Sequence, residues 1–197
     1  MMHLLPPGNG LSADIDDGGV AAPIQLLPFN ESNFQQLIDW VKDKQLLTQF
    51  AVPIFTFPIT VEQLLKYTQT TNRQIFSISE RTSGQAIGHI ELDRIDYEHK
   101  SARVCRFLIG RETHRGKKYG QQALEALQKI AFDDLSLNRL ELVVLAENVS
   151  AIKCYENCGF MTEGVMRESY WMNGKPVSAL MMSILSSEYR ARHNNGG

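Results

Sequence analysis

Arg115-Gly116-Lys117-Lys118-Tyr119-Gly120, then an amphipathic run, then Asn148 with Tyr155, Gly159 and Phe160 at fixed spacing, form the stretch that decides how this chain is read. Ile109 closes an apolar segment, Gly110 to His114 connect it onward, and Ala123, Leu124, Leu127, Ile130 and Ala131 recur at helical spacing. The chain therefore passes from a strand into a helix at Arg115 to Gly120, where unpaired N–H groups and the positive end of the helix dipole face outward. Such an end binds phosphate. Gly116 and Gly120 allow close backbone approach, while Arg111, Arg115, Lys117 and Lys118 place positive charge beside an anion. Taken alone, the hexapeptide is equally a solvated basic turn. Gln121-Gln122 follows Gly120, so the hydroxyl of a Walker-type loop is absent, and the Gly116 to Gly120 spacing does not fit a three-glycine dinucleotide fingerprint.

The second half of the signal lies downstream. Arg139 to Leu145 has the length and apolar content of a strand, and Ser150 to Asn157 reads as a helix that Gly159 stops. Asn148 and Tyr155 are about two helical turns apart, so the amide at the helix start and the phenol lie on one side. A half-buried structural tyrosine is the plain alternative for Tyr155.

Together these residues resemble the GNAT superfamily of acetyl-CoA-dependent N-acetyltransferases over about Gln25 to Tyr189, within it the branch of ribosomal-protein N-terminal and spermidine acetyltransferases. That branch commonly shows Asn-x2-Ala-x3-Tyr-x3-Gly-Phe followed by Glu-Gly, matched here by Asn148, Ala151, Tyr155, Gly159, Phe160, Glu163 and Gly164. One position departs: Lys118 stands where the family's loop has its central glycine, and a helix-initiating turn does not require a positive φ there. The resemblance implies an α/β fold, a mixed and mostly antiparallel sheet with flanking helices and a splayed parallel strand pair. It also implies acetyl-CoA as cosubstrate, with no metal. The diphosphate is expected on Arg115, Gly116, Lys117, Lys118, Tyr119 and Gly120, and pantetheine beside Phe107, Leu108, Ile109 and Asn148. A backbone N–H in that gap is expected to meet the thioester carbonyl.

Transfer to an amine ends with a departing thiolate that needs a proton, and a phenol with reference pKa about 10 is still protonated near neutrality. Tyr155 is the candidate general acid. For the base, the position at which some N-terminal acetyltransferases carry glutamate is Val143, which leaves Glu91 and His89 on one strand face. Glu91 matches a glutamate of the spermidine acetyltransferases' Glu-Leu-x-x-Ile-Asp-Tyr run and is the candidate catalytic carboxylate. A peptide α-amine, with reference pKa near 8, tolerates a weak base better than a polyamine amine near 10. The first expectation is therefore transfer to a protein or peptide N-terminus. The alternatives are a polyamine or other small amine, whose acidic pocket Asp93, Asp96, Glu98 and Glu163 could supply, or a non-catalytic acyl-CoA sensor.

The remaining features bound this picture. With 197 residues and a formal charge of −2, the chain suits one domain of ordinary globular composition, with nothing that favours nucleic acid. No apolar run reaches the roughly 20 residues that span a bilayer. Cys105, Cys154 and Cys158 show no metal-type pairing and suit a reducing, cytoplasmic setting. Residues 1–23 are rich in breakers and acidic groups and read as a flexible tail, 24–189 as the N-acetyltransferase domain and 190–197 as a second tail. The protein is expected to be a monomer or homodimer. Within the domain, Thr60 with Gln63 marks a helix start, Gln74 to Ser79 and Gln85 to Leu92 read as a hairpin, and Asn173-Gly174 separates the strands of a terminal hairpin.

Overall fold

The structure, a computed structural model, describes residues 23–51, 54–110 and 118–194. Strands form where apolar residues alternate and helices where they recur every third or fourth position. β1 (Ile24–Pro28) is followed by α1 (Phe34–Trp40), α2 (Lys44–Ala51) and α3 (Val61–Thr68). Next come β2 (Gln74–Glu80), β3 (Ala86–Asp96), β4 (Ser101–Ile109), α4 (Tyr119–Lys129), β5 (Arg139–Leu145), α5 (Val149–Asn157), β6 (Met161–Met172), β7 (Lys175–Leu185) and α6 (Ser186–Asn194). The strands build one seven-stranded sheet in the order β1-β2-β3-β4-β5-β7-β6. Every pair is antiparallel except β4 with β5, which α4 connects as a crossover.

The buried alternate positions of β5 (Leu140, Leu142, Val144) and of the first half of β4 (Ala102, Val104) belong to one core, and Leu108 farther along β4 belongs to a second. On one face Ile78, Ile90, Leu92 and Val104 pack with Ala123, Leu124 and Leu127 of α4. On the other, Phe34, Leu37 and Trp40 of α1, Leu47 and Phe50 of α2, and Leu64 and Tyr67 of α3 gather around Leu108 of β4.

Local chemistry explains the helix and turn boundaries. Thr60 caps α3 by accepting from the Gln63 N–H, as its position predicts, but Gln63 does not complete a capping box. Its side chain reaches back to the Thr56 N–H and carbonyl and to the Pro58 carbonyl, clamping the preceding loop. Asn173 and Gly174 have φ of 50° and 76°, the left-handed pair that a tight hairpin needs. Two helices go beyond the sequence expectations. α2 begins where Asp43 accepts from the Leu46 N–H at 2.7 Å, and α6 carries helix through Asn194 into the segment expected as a tail.

Candidate active site

The pairing of β4 with β5 is confined to Ser101↔Arg139, Ala102↔Leu140 and Arg103↔Glu141. Beyond that point β4 stays on β3 and β5 stays on β7 through Leu145↔Ala179, so the two strands part and leave a gap. An ion pair between Arg103 and Glu141 joins the strands at their last paired residues. A bulge in β4 follows the parting. Leu108 stands opposite His89 and Cys105 opposite Glu91, so Arg106 and Phe107 together face Ile90 alone, and such an insertion bends a strand. Arg106 takes φ of 46°.

Phe107, Leu108 and Ile109, expected to line a pantetheine channel, occupy the β4 side of the gap. Leu108 turns into the α1–α3 core, whereas Phe107 and Ile109 are partly buried and reach towards α4. A Cβ added to Gly120 would lie 3.4 Å from Phe107 and 3.7 Å from the Cys154 Sγ. The first turn of α4 therefore sits against both β4 and α5. Arg115, Gly116 and Lys117, as well as Arg111, lie outside the described residues.

Lys118 is the N-cap of α4 and makes no side-chain capping bond, which leaves first-turn amides available for an anion. Its φ of 62° corrects the expectation that this position needs no left-handed residue. The lysine occupies glycine's backbone conformation, at a cost of about 1–2 kcal/mol. Tyr119, expected among the diphosphate contacts, donates its hydroxyl to Glu80 at 3.0 Å and ties the start of α4 to the end of β2.

The second wall of the site is α5. Phe160 N–H bonds to the Tyr155 carbonyl at 3.0 Å and Gly159 N–H to the Glu156 carbonyl at 2.9 Å, with Gly159 at φ 88°. This is a Schellman closure, and it gives the Tyr-x3-Gly-Phe spacing a physical cause. The closure carries Phe160 back under the tyrosine, with ring centroids 6.0 Å apart, and Phe107 flanks the same ring at 6.4 Å. Burial pushes the Tyr155 phenol well above its ordinary range, and its hydroxyl has no hydrogen-bond partner among the described residues. Asn148 caps α5: its Oδ1 accepts from the Ala151 N–H at 3.2 Å and from the Ser150 hydroxyl at 3.1 Å. The acceptor half of the amide is thus committed to the helix, leaving the NH2 for a ligand.

Glu91 and His89 share a strand face as expected, and both are fully buried beneath α3. Glu91 is held on both oxygens: the Tyr67 hydroxyl donates to one, and the Arg106 guanidinium to the other. Arg106 also donates to Asp93 at 2.8 Å, and Arg73 lies 3.3 Å from the same carboxylate. With its hydrogen given to Glu91, the Tyr67 oxygen accepts from the His89 Nε2 at 3.0 Å. Burial, then the Arg106 charge, lowers the His89 pKa to about 3, so the imidazole is neutral. Glu91 is placed as an ion-paired carboxylate rather than a free base. Burial raises the Cys105 thiol to about 11, which suits a small core residue better than a nucleophile. Glu91, Asp93 and Cys105 bring ligand atoms within 4.8 Å of one another, but the Arg106 guanidinium already bonds both carboxylates.

Of the carboxylates considered for an amine pocket, Asp93, Asp96 and Glu98 line one shallow groove together with Arg73 and Arg94, so its charge is largely balanced. Glu163 lies apart on β6, bonded to Arg139 at 2.6 and 2.7 Å and to the Ser183 hydroxyl. Arg106, Tyr67 and Trp40 carry much of the site's shape and were not singled out by sequence reasoning. Trp40 lies so close over Gly110 that an added Cβ would be 2.1 Å from the indole. The glycine after the strand was a signal for that approach.

A family model describing the acetyltransferase (GNAT) domain matches residues 24–161. The spermidine N(1)-acetyltransferase of Vibrio cholerae is 34% identical over 58% of this chain, a match spanning 65% of the relative's length. That of Escherichia coli K12 is 28% identical over 78% of this chain and 84% of the relative. A crystal structure of the Vibrio cholerae spermidine N-acetyltransferase with CoA and spermine superposes with a TM-score of 0.75 at 25% identity, covering 85% of this chain and 98% of that one.

Proposed function

The chain belongs to the GNAT acetyltransferase family, and we propose that it transfers the acetyl group of acetyl-CoA to a primary amine of a polyamine or similar small amine. The observation that carries the transferase reading is the gap where β4 and β5 stop pairing, with the uncapped start of α4 and the Tyr155 ring at its rim. The similarity to polyamine-acetylating relatives supports the small-amine alternative over the peptide N-terminus that Val143 had favoured. Their chemistry moves the first expectation aside.

In this reading the α4 amides with Lys118 hold the diphosphate, together with Arg115, Gly116 and Lys117, which precede it in sequence. The β4 edge at Phe107 to Ile109 and the Asn148 NH2 orient the pantetheine arm. Tyr155 gives its hydroxyl proton to the departing thiolate. Burial makes this phenol a weaker acid than the departing thiol, so the proton moves only as negative charge develops on the sulfur, and the tyrosinate then recovers a proton from the water that took up the amine's. Glu91, paired to Arg106, shapes the site electrostatically, and the amine loses its proton to water.

Incubating the protein with acetyl-CoA and spermidine, spermine, small diamines and N-terminal peptides, while following thiol release, tests the assignment. Release with the polyamines at rates above those with peptides is the expected result. Peptide-only turnover would restore the first expectation, and CoA binding without release from any acceptor would point to a sensor.

A further inference from the structure

We propose that Arg106 is a positioning residue for the acetyl-transfer site, its guanidinium pinning the β4 bulge so that the strand leaves β5 at the place acetyl-CoA requires. This rests on reading the β4–β5 gap as the acetyl-CoA site.

Four observations converge on Arg106. It stands at the bulge, in a backbone conformation unfavourable for a residue with a side chain. Its side chain is only 6% exposed. The guanidinium bonds Glu91 and Asp93 from one strand, so two carboxylates of β3 grip the residue that breaks register with β3. Its carbon also lies 5.7 Å from the centre of the Tyr67 ring, whose hydroxyl closes the circuit on Glu91. Burial disfavours the charge, but Glu91 more than offsets this and keeps Arg106 protonated well above its ordinary range.

The consequence lies in register. A strand slipped by one residue turns every side chain to the opposite face. Without the bulge, the pair Cys105↔Glu91 would be followed by Phe107 opposite His89 and Leu108 opposite Gly88, and Phe107 would swing away from the Tyr155 ring, which it now flanks at 6.4 Å. Leu108 would leave the α1–α3 core. On the β5 side the backbone of β4 is unpaired beyond Arg103, so its ladder to β3 alone opposes that slip. Arg106 adds a side-chain constraint to that ladder, and acts on the reaction through the strand it fixes rather than by touching the reacting atoms.

The test uses the full chain and removes the anchor without stranding a buried charge, by combining Arg106→Met with Glu91→Gln. CoA affinity is measured by titration calorimetry, and amide hydrogen exchange is followed in peptides covering 104–110 and, as a control, 121–129. The expected result is exchange at least tenfold faster in 104–110 alone and a CoA Kd at least tenfold weaker. A folded double variant with unchanged exchange and CoA affinity within threefold of the wild type overturns the proposal. Should that variant fail to fold, Asp93→Asn removes one of the two carboxylate grips; a CoA Kd weakened threefold or more supports the proposal, and an unchanged one overturns it. Failure of the wild type to bind CoA would sink the transferase reading instead, while the exchange data would still decide whether Arg106 holds the bulge.

Discussion

Replacing Tyr155 by Phe separates chemistry from folding with little ambiguity. The ring is held by Phe107 and Phe160, and the hydroxyl has no partner among the described residues, so phenylalanine keeps the packing and strands no hydrogen-bonding group. Stability should change by no more than about 0.5 kcal/mol, in the range of substitutions that disturb no packed or bonded feature. Losing a positioned general acid costs about 10²–10⁴ in rate, which corresponds to roughly 3–5 kcal/mol of transition-state stabilisation. Thiol release at saturating spermidine gives kcat, calorimetry gives the CoA Kd, and a thermal melt gives the stability. The expected outcome is a kcat at least a hundredfold lower, a Kd within about threefold and a Tm within a degree or two. Because burial raises the phenol, the wild-type rate should show no fall attributable to loss of this proton below about pH 10. A Tyr155→Phe enzyme turning over within threefold of the wild type would refute the acid role.

Other positions give independent checks. Lys118→Gly relieves the left-handed backbone but adds freedom to the unfolded chain, so Tm should move by less than about 3 °C; calorimetry across a salt series should show CoA binding less salt-sensitive than in the wild type if the lysine meets phosphate. Gly110→Ala drives a methyl into the Trp40 ring and should cost about 1–3 kcal/mol, read as a lower denaturation midpoint. The His89 pKa is about 3 when folded and about 6.5 when unfolded, so the unfolded state binds the extra proton. Stability from this group is present above pH 6.5 and is lost as pH falls towards 3, with a slope approaching about 1.4 kcal/mol per pH unit. Denaturant titrations should show His89→Gln flattening that slope between pH 6.5 and 4.5, above the range in which carboxylates dominate.

What could be read from the chain was what neighbouring residues decide. Gly159 and Phe160 close α5 through bonds reaching no farther back than Tyr155, so the turn that sets Phe160 against the tyrosine is written into the positions from Tyr155 to Phe160. Arg139 to Leu145 carries the alternation of a half-buried strand, and Asn173-Gly174 meets the dihedral demands of its turn without help from elsewhere. The start of α2 was readable in principle, since Asp43 caps it three residues before Leu46. Its apolar pattern is short and set among polar residues. The conformation of Lys118 was not readable, because a lysine carries no local signature of the left-handed backbone that α4 imposes on it.

Glu91 marks the boundary between these two kinds of information. Its position on a strand beside His89 followed from alternation, and a carboxylate on that face is chemically suited to be a base. Whether it is one depends on Arg106, fifteen positions away in sequence, and on Tyr67, twenty-four positions away. Arg106 reaches it across the β3–β4 ladder at the bulge, and Tyr67 from α3 packed over β3. A charge that looks available in one dimension is spent in three. The same pairing then gives the carboxylate a different use, since the residue that neutralises it is the one at which β4 departs from β3's register, just beyond its last pairing with β5 at Arg103.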